Sequence, residues 1–200
     1  YFFQDARINQ SGYDSIDAVM ARNSQGLSPS ALAQAIADGA LVLDTRAADD
    51  FEKAFVPGAV NIGLNGGFAV WVGTLLPIDR TIVVVAEPGR ETESIMRLAR
   101  VGYEKVAGYL QGGMASWIEA SLPLDQVTSI AAETLAAAMG QGHAAIIDVR
   151  KASEFADGHV LGAHHIELDT LEQNLHLLDP KTPYIVHCQG GYRSMVAISI

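Results

Sequence analysis

Cys188 is the only cysteine among 200 residues, and its neighbours are those of a reactive thiol. It follows the apolar, β-rich run Ile185-Val186-His187 and opens the loop Gln189-Gly190-Gly191-Tyr192. Arg193 and Ser194 close that loop where a helical pattern begins. Gly190 and Gly191 let successive backbone N–H groups turn inward, and a helix N-terminus adds positive potential. A thiol held this way ionises readily, and the loop can cradle an anion. Sulfur or phosphate chemistry is what such a pattern can do. A buried structural cysteine is the ordinary reading of an isolated thiol, but it gives the glycine pair and the arginine no role.

The elements that must position this loop occur twice. Leu41-Val42-Leu43-Asp44-Thr45-Arg46 matches Ala145-Ile146-Ile147-Asp148-Val149-Arg150, and Asp50-Phe51 matches Glu154-Phe155. Val56-Pro57-Gly58-Ala59 matches Val160-Leu161-Gly162-Ala163, and Ile82–Ala86 matches Tyr184–Cys188. A period of about a hundred residues means two whole domains rather than solenoid units. Each repeat alternates apolar, β-branched runs with amphipathic ones. Ser28-Pro29 starts a helix that Gly39 ends, and Leu41–Leu43 reads as a buried parallel strand. Thr81–Val85 is β-branched throughout and reads as another. Glu91–Arg100 is a helix with Ile95, Leu98 and Ala99 on one face. Tyr103–Leu110 returns as a strand, and Gly113–Ala120 as a helix. The fold class is α/β, two domains, each a parallel sheet with helices on both faces.

The Asp-x-Arg strand ends, the Gly-Ala-x-x-Ile segments and the Cys-x-x-x-x-Arg loop together resemble the rhodanese (sulfurtransferase) family. Gly102-Tyr103 and Gly112-Gly113-x-x-x-Trp117 resemble that domain's closing signature. The resemblance spans roughly 27–200 and implies a cysteine that carries a persulfide. The spacing from Cys188 to Arg193 is the length rhodaneses use; dual-specificity phosphatases of the same fold have one residue more. By this likeness Cys188 is the nucleophile and Arg193 closes its loop. Arg193 either contacts the thiolate or an incoming anion, or braces the loop through carbonyls or a carboxylate. Gln189, Gly190, Gly191, Tyr192 and Ser194 form the loop, and Asp148 with Arg150 supports it as a charge pair.

The first repeat departs from the pattern. Ala86 stands at the position of Cys188, Glu91 at that of Arg193, and Pro88 removes one inward N–H. This repeat is expected to be catalytically inactive. The six histidines all lie in the second half. His164 and His165 are adjacent on a strand and point to opposite faces, which does not suit shared metal ligation. Asn65-Gly66-Gly67 reads as a turn.

The expected domains are 27–124 (inactive) and 125–200 (carrying Cys188), with Leu122-Pro123-Leu124 as linker and 1–26 as leader or connector. Ile200 aligns with Leu98, and nothing after it matches Gly102–Trp117, so the second domain is expected to be incomplete at its C-terminus. The leader Tyr1–Asn9 with Gly12–Asp17 resembles the exit from a metallo-β-lactamase-fold domain in bacterial fusions with rhodaneses. Those fusions are similar to persulfide dioxygenases, which implies a mononuclear iron (or zinc) in an upstream domain. No metal or organic cofactor is expected for residues 1–200.

The composition, 49% hydrophobic and 18% charged, suits a packed core. A net charge of −10 argues against nucleic acid or an anionic membrane as partner. A single cysteine suits a reducing cytoplasm, and no apolar run approaches the ~20 residues of a membrane span. The expected partners are a small sulfur donor, thiosulfate or a low-molecular-weight persulfide, and a thiol acceptor, with a homo-oligomer formed through the full-length protein. Phosphatase or arsenate-reductase chemistry on the same fold, and a non-catalytic interaction module, are the alternatives.

Overall fold

The computed structural model describes residues 15–139 and 145–200. They divide into two compact units between Gln126 and Val127. Each is built of parallel strands flanked by helices.

The first unit runs α1 (Ile16–Asn23), β1 (Gly26–Leu27), α2 (Pro29–Ala37), β2 (Leu41–Asp44), α3 (Ala48–Phe51) and β3 (Val60–Asn61). It continues with α4 (Phe68–Leu75), β4 (Ile82–Val85), α5 (Glu91–Arg100), β5 (Val106–Leu110) and α6 (Gly113–Glu119). Its five strands lie in the order β1-β5-β4-β2-β3, all pairs parallel. β4 takes the centre because Ile82, Val83, Val84 and Val85 tolerate burial on both faces, and all four are buried. Crossover helices then cover the faces. Ser28 Oγ accepts from Ala31 N–H at 3.2 Å and Pro29 occupies the first turn, so α2 starts where the sequence signals it. Gly108 (φ +144°) lets β1 approach β5. A Cβ there would meet the Gln25 carbonyl oxygen at 2.4 Å, the same oxygen that accepts from Tyr109 N–H at 2.9 Å.

Two boundaries differ from expectation. Part of the segment 1–26, expected as leader or connector, is folded into the first unit, as α1 and the start of β1. Ile16, Val19, Met20 and Asn23 share a helix face, with Val19 and Asn23 buried. Asn23 Nδ2 donates to the Glu104 carbonyl at 2.9 Å. Leu122-Pro123-Leu124 is not a free linker either. Trp117 Nε1 donates to the Pro123 carbonyl at 2.8 Å, and Phe55 and Asp125 exchange backbone hydrogen bonds at 2.9 and 3.0 Å. The leader residues 1–14, which carry most of the fusion resemblance, lie outside the described residues.

The second unit contains α7 (Ala132–Met139), β6 (Ala145–Asp148), α8 (Ala152–Asp157), β7 (His164–His165), α9 (Leu171–Asn174), β8 (Tyr184–His187) and α10 (Tyr192–Ile198). Its three strands are parallel in the order β7-β6-β8. This reproduces the β3-β2-β4 part of the first sheet. Among the described residues no strand pairs with the other edge of β8, the edge that corresponds to the one β5 covers on β4. The cost of that edge is visible: every residue of β4 is buried, whereas every residue of β8 is half-buried.

Candidate active site

β8 delivers Cys188 to the carboxyl end of the parallel sheet, where crossing helices leave room for a ligand. The chain then turns through Gly191 in the left-handed region (φ +85°) and enters α10 at Tyr192. Glycine is needed at 191 for that angle. Bulk is not the issue, since a Cβ at Gly190 or Gly191 would meet nothing within 4 Å. The glycines thus serve one backbone angle, at Gly191, under an open space over the loop.

Ser194 N–H donates to Cys188 Sγ at 3.4 Å, and the Ser194 hydroxyl lies 3.5 Å from the same sulfur. That hydroxyl donates to the Gly191 carbonyl at 2.9 Å while the sulfur is a thiol. It can rotate toward the sulfur when the thiol ionises. Burial pushes the Cys188 thiol up. Hydrogen bonding from the Ser194 side chain and N–H, and from the Gly190 and Gly191 N–H groups, outweighs this and leaves it below its usual 9.0. A thiol depressed in this way has a larger thiolate fraction at neutral pH. The midpoint of Cys188 alkylation against pH is expected below 9.0. Ser194→Ala is expected to raise it, because the thiolate loses the hydroxyl that helps to hold it low. An unmoved midpoint would remove the serine from the site.

Arg193 is paired with a carboxylate, and the nearby Cys188 adds to the electrostatic pull that raises its pKa. Its Nη1 and Nη2 donate to Glu154 Oε2 and Oε1 at 2.6 and 2.8 Å, tying α10 to α8 in a bidentate pair. Arg193 holds the Glu154 carboxyl at about 2, far below its usual 4.5. Of the two roles open to Arg193, this geometry is bracing. Arg150 is engaged in the same way. Its Nε and Nη2 donate to the Asp148 carboxylate at 2.9, 3.0 and 2.6 Å, and Nη2 also donates to the Gly158 carbonyl at 2.8 Å. Burial would raise the Asp148 carboxyl, but the Arg150 hydrogen bonds and the nearby His187 outweigh it and hold it low.

His187 Nε2 is buried 3.3 Å from Asp148 Oδ2, outside hydrogen-bond alignment. Burial pushes the Tyr192 phenol up to about 12, so it stays protonated. Gln189 and Gly190 are exposed at the mouth. His159 and His165 both stack against Phe155, with ring centroids 3.7 and 4.4 Å away. His165 Nε2 donates to the Arg150 carbonyl at 2.9 Å. Among the described residues no group of three His, Cys, Asp or Glu side chains is placed to hold a metal ion. His143 lies outside them.

The first unit keeps the loop without the thiol. Gly89 (φ +87°) matches Gly191 in place and angle, and Ala86 is buried where Cys188 stands in the second. Arg90 is held by Glu93 at 2.9 Å, by Asn65 Oδ1 at 3.3 Å and near Glu87 at 3.7 Å. It is part of a local network.

Sequence reasoning did not identify Glu154 as the partner of Arg193. A signal was present: the repeat places acidic Asp50 and Glu91 at the two equivalent positions, so the opposite charges occur together only where the cysteine does. The sequence carries no comparable mark for the serine's hydrogen bonds to the sulfur.

The family described as rhodanese-like domain matches residues 28–120 and 131–199. The uncharacterized protein YqhL of Bacillus subtilis (strain 168) is 41% identical over 51 residues, 26% of this chain and 40% of YqhL. A thiosulfate sulfurtransferase from Pseudomonas aeruginosa has a TM-score of 0.44 at 19% identity, covering 92% of this chain and 42% of its own. SseA from Escherichia coli, described as a 3-mercaptopyruvate sulfotransferase, has a TM-score of 0.42 at 19% identity, covering 88% of this chain and 92% of its own. The chain thus spans less than half the length of YqhL and of the Pseudomonas enzyme. With its profile matched twice in order over most of the sequence, the chain belongs to the rhodanese-like domain family.

Proposed function

We propose that the second unit is a sulfurtransferase that moves sulfane sulfur through a persulfide on Cys188. The observation that carries this reading is Ser194 N–H donating to Cys188 Sγ at 3.4 Å, in a loop whose Gly190 and Gly191 N–H groups also help to lower the thiol's pKa. Such a cradle stabilises one negative charge, first on the thiolate and then on the outer sulfur of Cys–S–S⁻. In the first half-reaction Sγ attacks the sulfane sulfur of the donor. A new S–S bond forms, the donor's own bond to that sulfur breaks, and the leaving group departs with the electron pair. In the second, an acceptor thiolate or cyanide attacks the outer sulfur and releases the Cys188 thiolate. The sulfur keeps its oxidation state throughout. Arg193 and Glu154 hold the loop in shape, and Asp148 with Arg150 anchors its floor.

The first unit takes no part in the chemistry, because Ala86 cannot carry sulfur. A reducing cytoplasm, rich in thiol acceptors, suits such a carrier. The leader's likeness makes an iron-dependent persulfide dioxygenase domain a fitting neighbour. The described residues offer that metal no ligand group, so no step is derived through it.

The test is the intact mass of the chain after exposure to glutathione persulfide. Cys188 is expected to gain one sulfur atom, and cyanide or a thiol is expected to remove it. A thiol that never gains sulfur overturns the reading.

A further inference from the structure

Resting on that reading, we propose that His187 is a positioning residue for the transfer: its ring takes a proton against Asp148 and so places a positive charge at the floor of the loop that carries the negative sulfur. Nε2 of His187 is buried without a hydrogen-bond partner, 3.3 Å from Asp148 Oδ2. Among the described residues only Ser24 Oγ shares that condition. A buried polar atom left unpaired is costly and calls for a reason. A bare lone pair facing a carboxylate oxygen at that distance is repelled, so Nε2 carries a hydrogen. The side chain is 21% exposed, so the ring exchanges protons with solvent.

The histidine is not needed to build the ion pair beside it. In the first unit Val85 stands at the equivalent position on β4, fully buried. There the Asp44 carboxylate accepts from Arg46 N–H at 3.0 Å, from Nε at 3.0 Å to each oxygen, and from Nη2 at 2.6 Å. With His187 in place, Asp148 accepts from Arg150 N–H at 3.0 Å, from Nε at 2.9 and 3.0 Å, and from Nη2 at 2.6 Å. The pair is the same with valine or histidine next to it. Valine also suits a half-buried strand better. The copy with the thiol therefore keeps, directly before its nucleophile, a residue that lowers stability and leaves the geometry unchanged. What the histidine adds is charge.

β6 and α10 pack against β8. β6 and the residues after it bring Asp148 and Arg150, a pair that is neutral as a whole. α10 brings Tyr192, whose phenol burial pushes up to about 12, and Arg193, neutralised by Glu154. On β8 itself, the Tyr184 hydroxyl accepts from Asp179 N–H at 2.9 Å. Of these groups, only His187 gains a positive charge as pH falls toward about 5. His165 lies on β7, on the far side of β6 from β8. The imidazolium of His187 balances the thiolate, and then Cys188–S–S⁻. The thiol gives its proton to solvent, the ring takes one from solvent, and no bond to sulfur involves the ring.

The experiment follows two rates in the whole chain between about pH 5 and 8: alkylation of Cys188 by iodoacetamide, and sulfur loading from glutathione persulfide. The parent is compared with His187→Val and His187→Gln. Both variants are expected to lose about tenfold in each rate at the acid end and little at the alkaline end, where an imidazole is neutral. His187→Gln keeps an N–H for Asp148 but cannot charge, so it separates charge from hydrogen bonding. His187→Val removes the orphaned nitrogen, so the amides of β6 and β8 are expected to exchange with deuterium no faster than in the parent. A residue that only held the structure would give faster exchange and the same loss of rate at every pH. That outcome, or variants that keep the parent's pH profile, overturns the role of His187. If no chain loads sulfur, the sulfur-carrier reading falls, and the alkylation profile alone decides for or against His187.

Discussion

Cys188→Ser is expected to lower sulfur transfer by at least about 10³-fold, the scale seen when an enzyme loses its nucleophile. The serine hydroxyl is far less acidic than a thiol and forms no persulfide. The loss is expected to be complete at the level of the loaded intermediate because the duplicated loop offers no substitute. Its equivalent position is Ala86, and the chain has no other cysteine. The variant should fold like its parent. The side chain changes by one atom, and Ser194 N–H, at 3.4 Å from the present sulfur, still has an acceptor to face. A shift in thermal midpoint of no more than about 3 °C is expected for so small a change. Sulfur loading that persists in Cys188→Ser would move the function away from this loop.

Asp44→Ala is expected to destabilise the first unit by about 3–5 kcal/mol, the cost of stranding a buried charge. Asp44 is fully buried and Arg46 is 8% exposed. The carboxylate accepts from Arg46 N–H and Nε at 3.0 Å and from Nη2 at 2.6 Å. Burial pushes the Asp44 carboxyl up while Arg46 opposes it. The guanidinium is thus the main compensation for desolvating that carboxylate, and the reverse holds too. Without Asp44, Arg46 keeps only the Asp50 and Ala54 carbonyls, at 3.4 and 2.9 Å. Total domain stabilities are about 5–15 kcal/mol, so the loss is severe. Trp71 and Trp117 both lie in this unit, so tryptophan fluorescence during urea unfolding reports on it. Asp44→Ala with Arg46→Met is expected to recover more than half of the loss, because an apolar pair leaves no charge stranded. A single variant that loses less than about 1 kcal/mol would make the pair no better than a surface ion pair.

Much of this architecture is legible in the sequence because duplication prints each signal twice. Leu41–Asp44 and Ala145–Asp148 are both strands, and both Asp-x-Arg motifs close on themselves as chelated pairs. β1 was not legible: Gly26 and Leu27 are too short for a period, and the strand exists only because β5 lies beside it. α4 was hidden in a similar way. Phe68–Leu75 is apolar almost all round, and its placement depends on Tyr103, whose hydroxyl lies 2.9 and 2.7 Å from the Val72 and Leu76 carbonyls. At the site, the residue types around Cys188 point to a thiolate, but the partner of Arg193 does not follow from local spacing. Glu154 is 39 residues away in sequence and meets Arg193 only once the chain has folded.

The left-handed turn shared by Gly89 and Gly191 has a broader consequence. Its anion-binding groups are main-chain amides, and no side-chain substitution deletes an amide unless it introduces proline. A copied domain can therefore exchange its reactive atom for a methyl group, as at Ala86, and keep the turn, while a proline such as Pro88 takes away a single amide. The changes at Ala86, Pro88 and Glu91 fall on the loop and leave the strands and helices around it in place, so the copy that lacks the thiol keeps its fold.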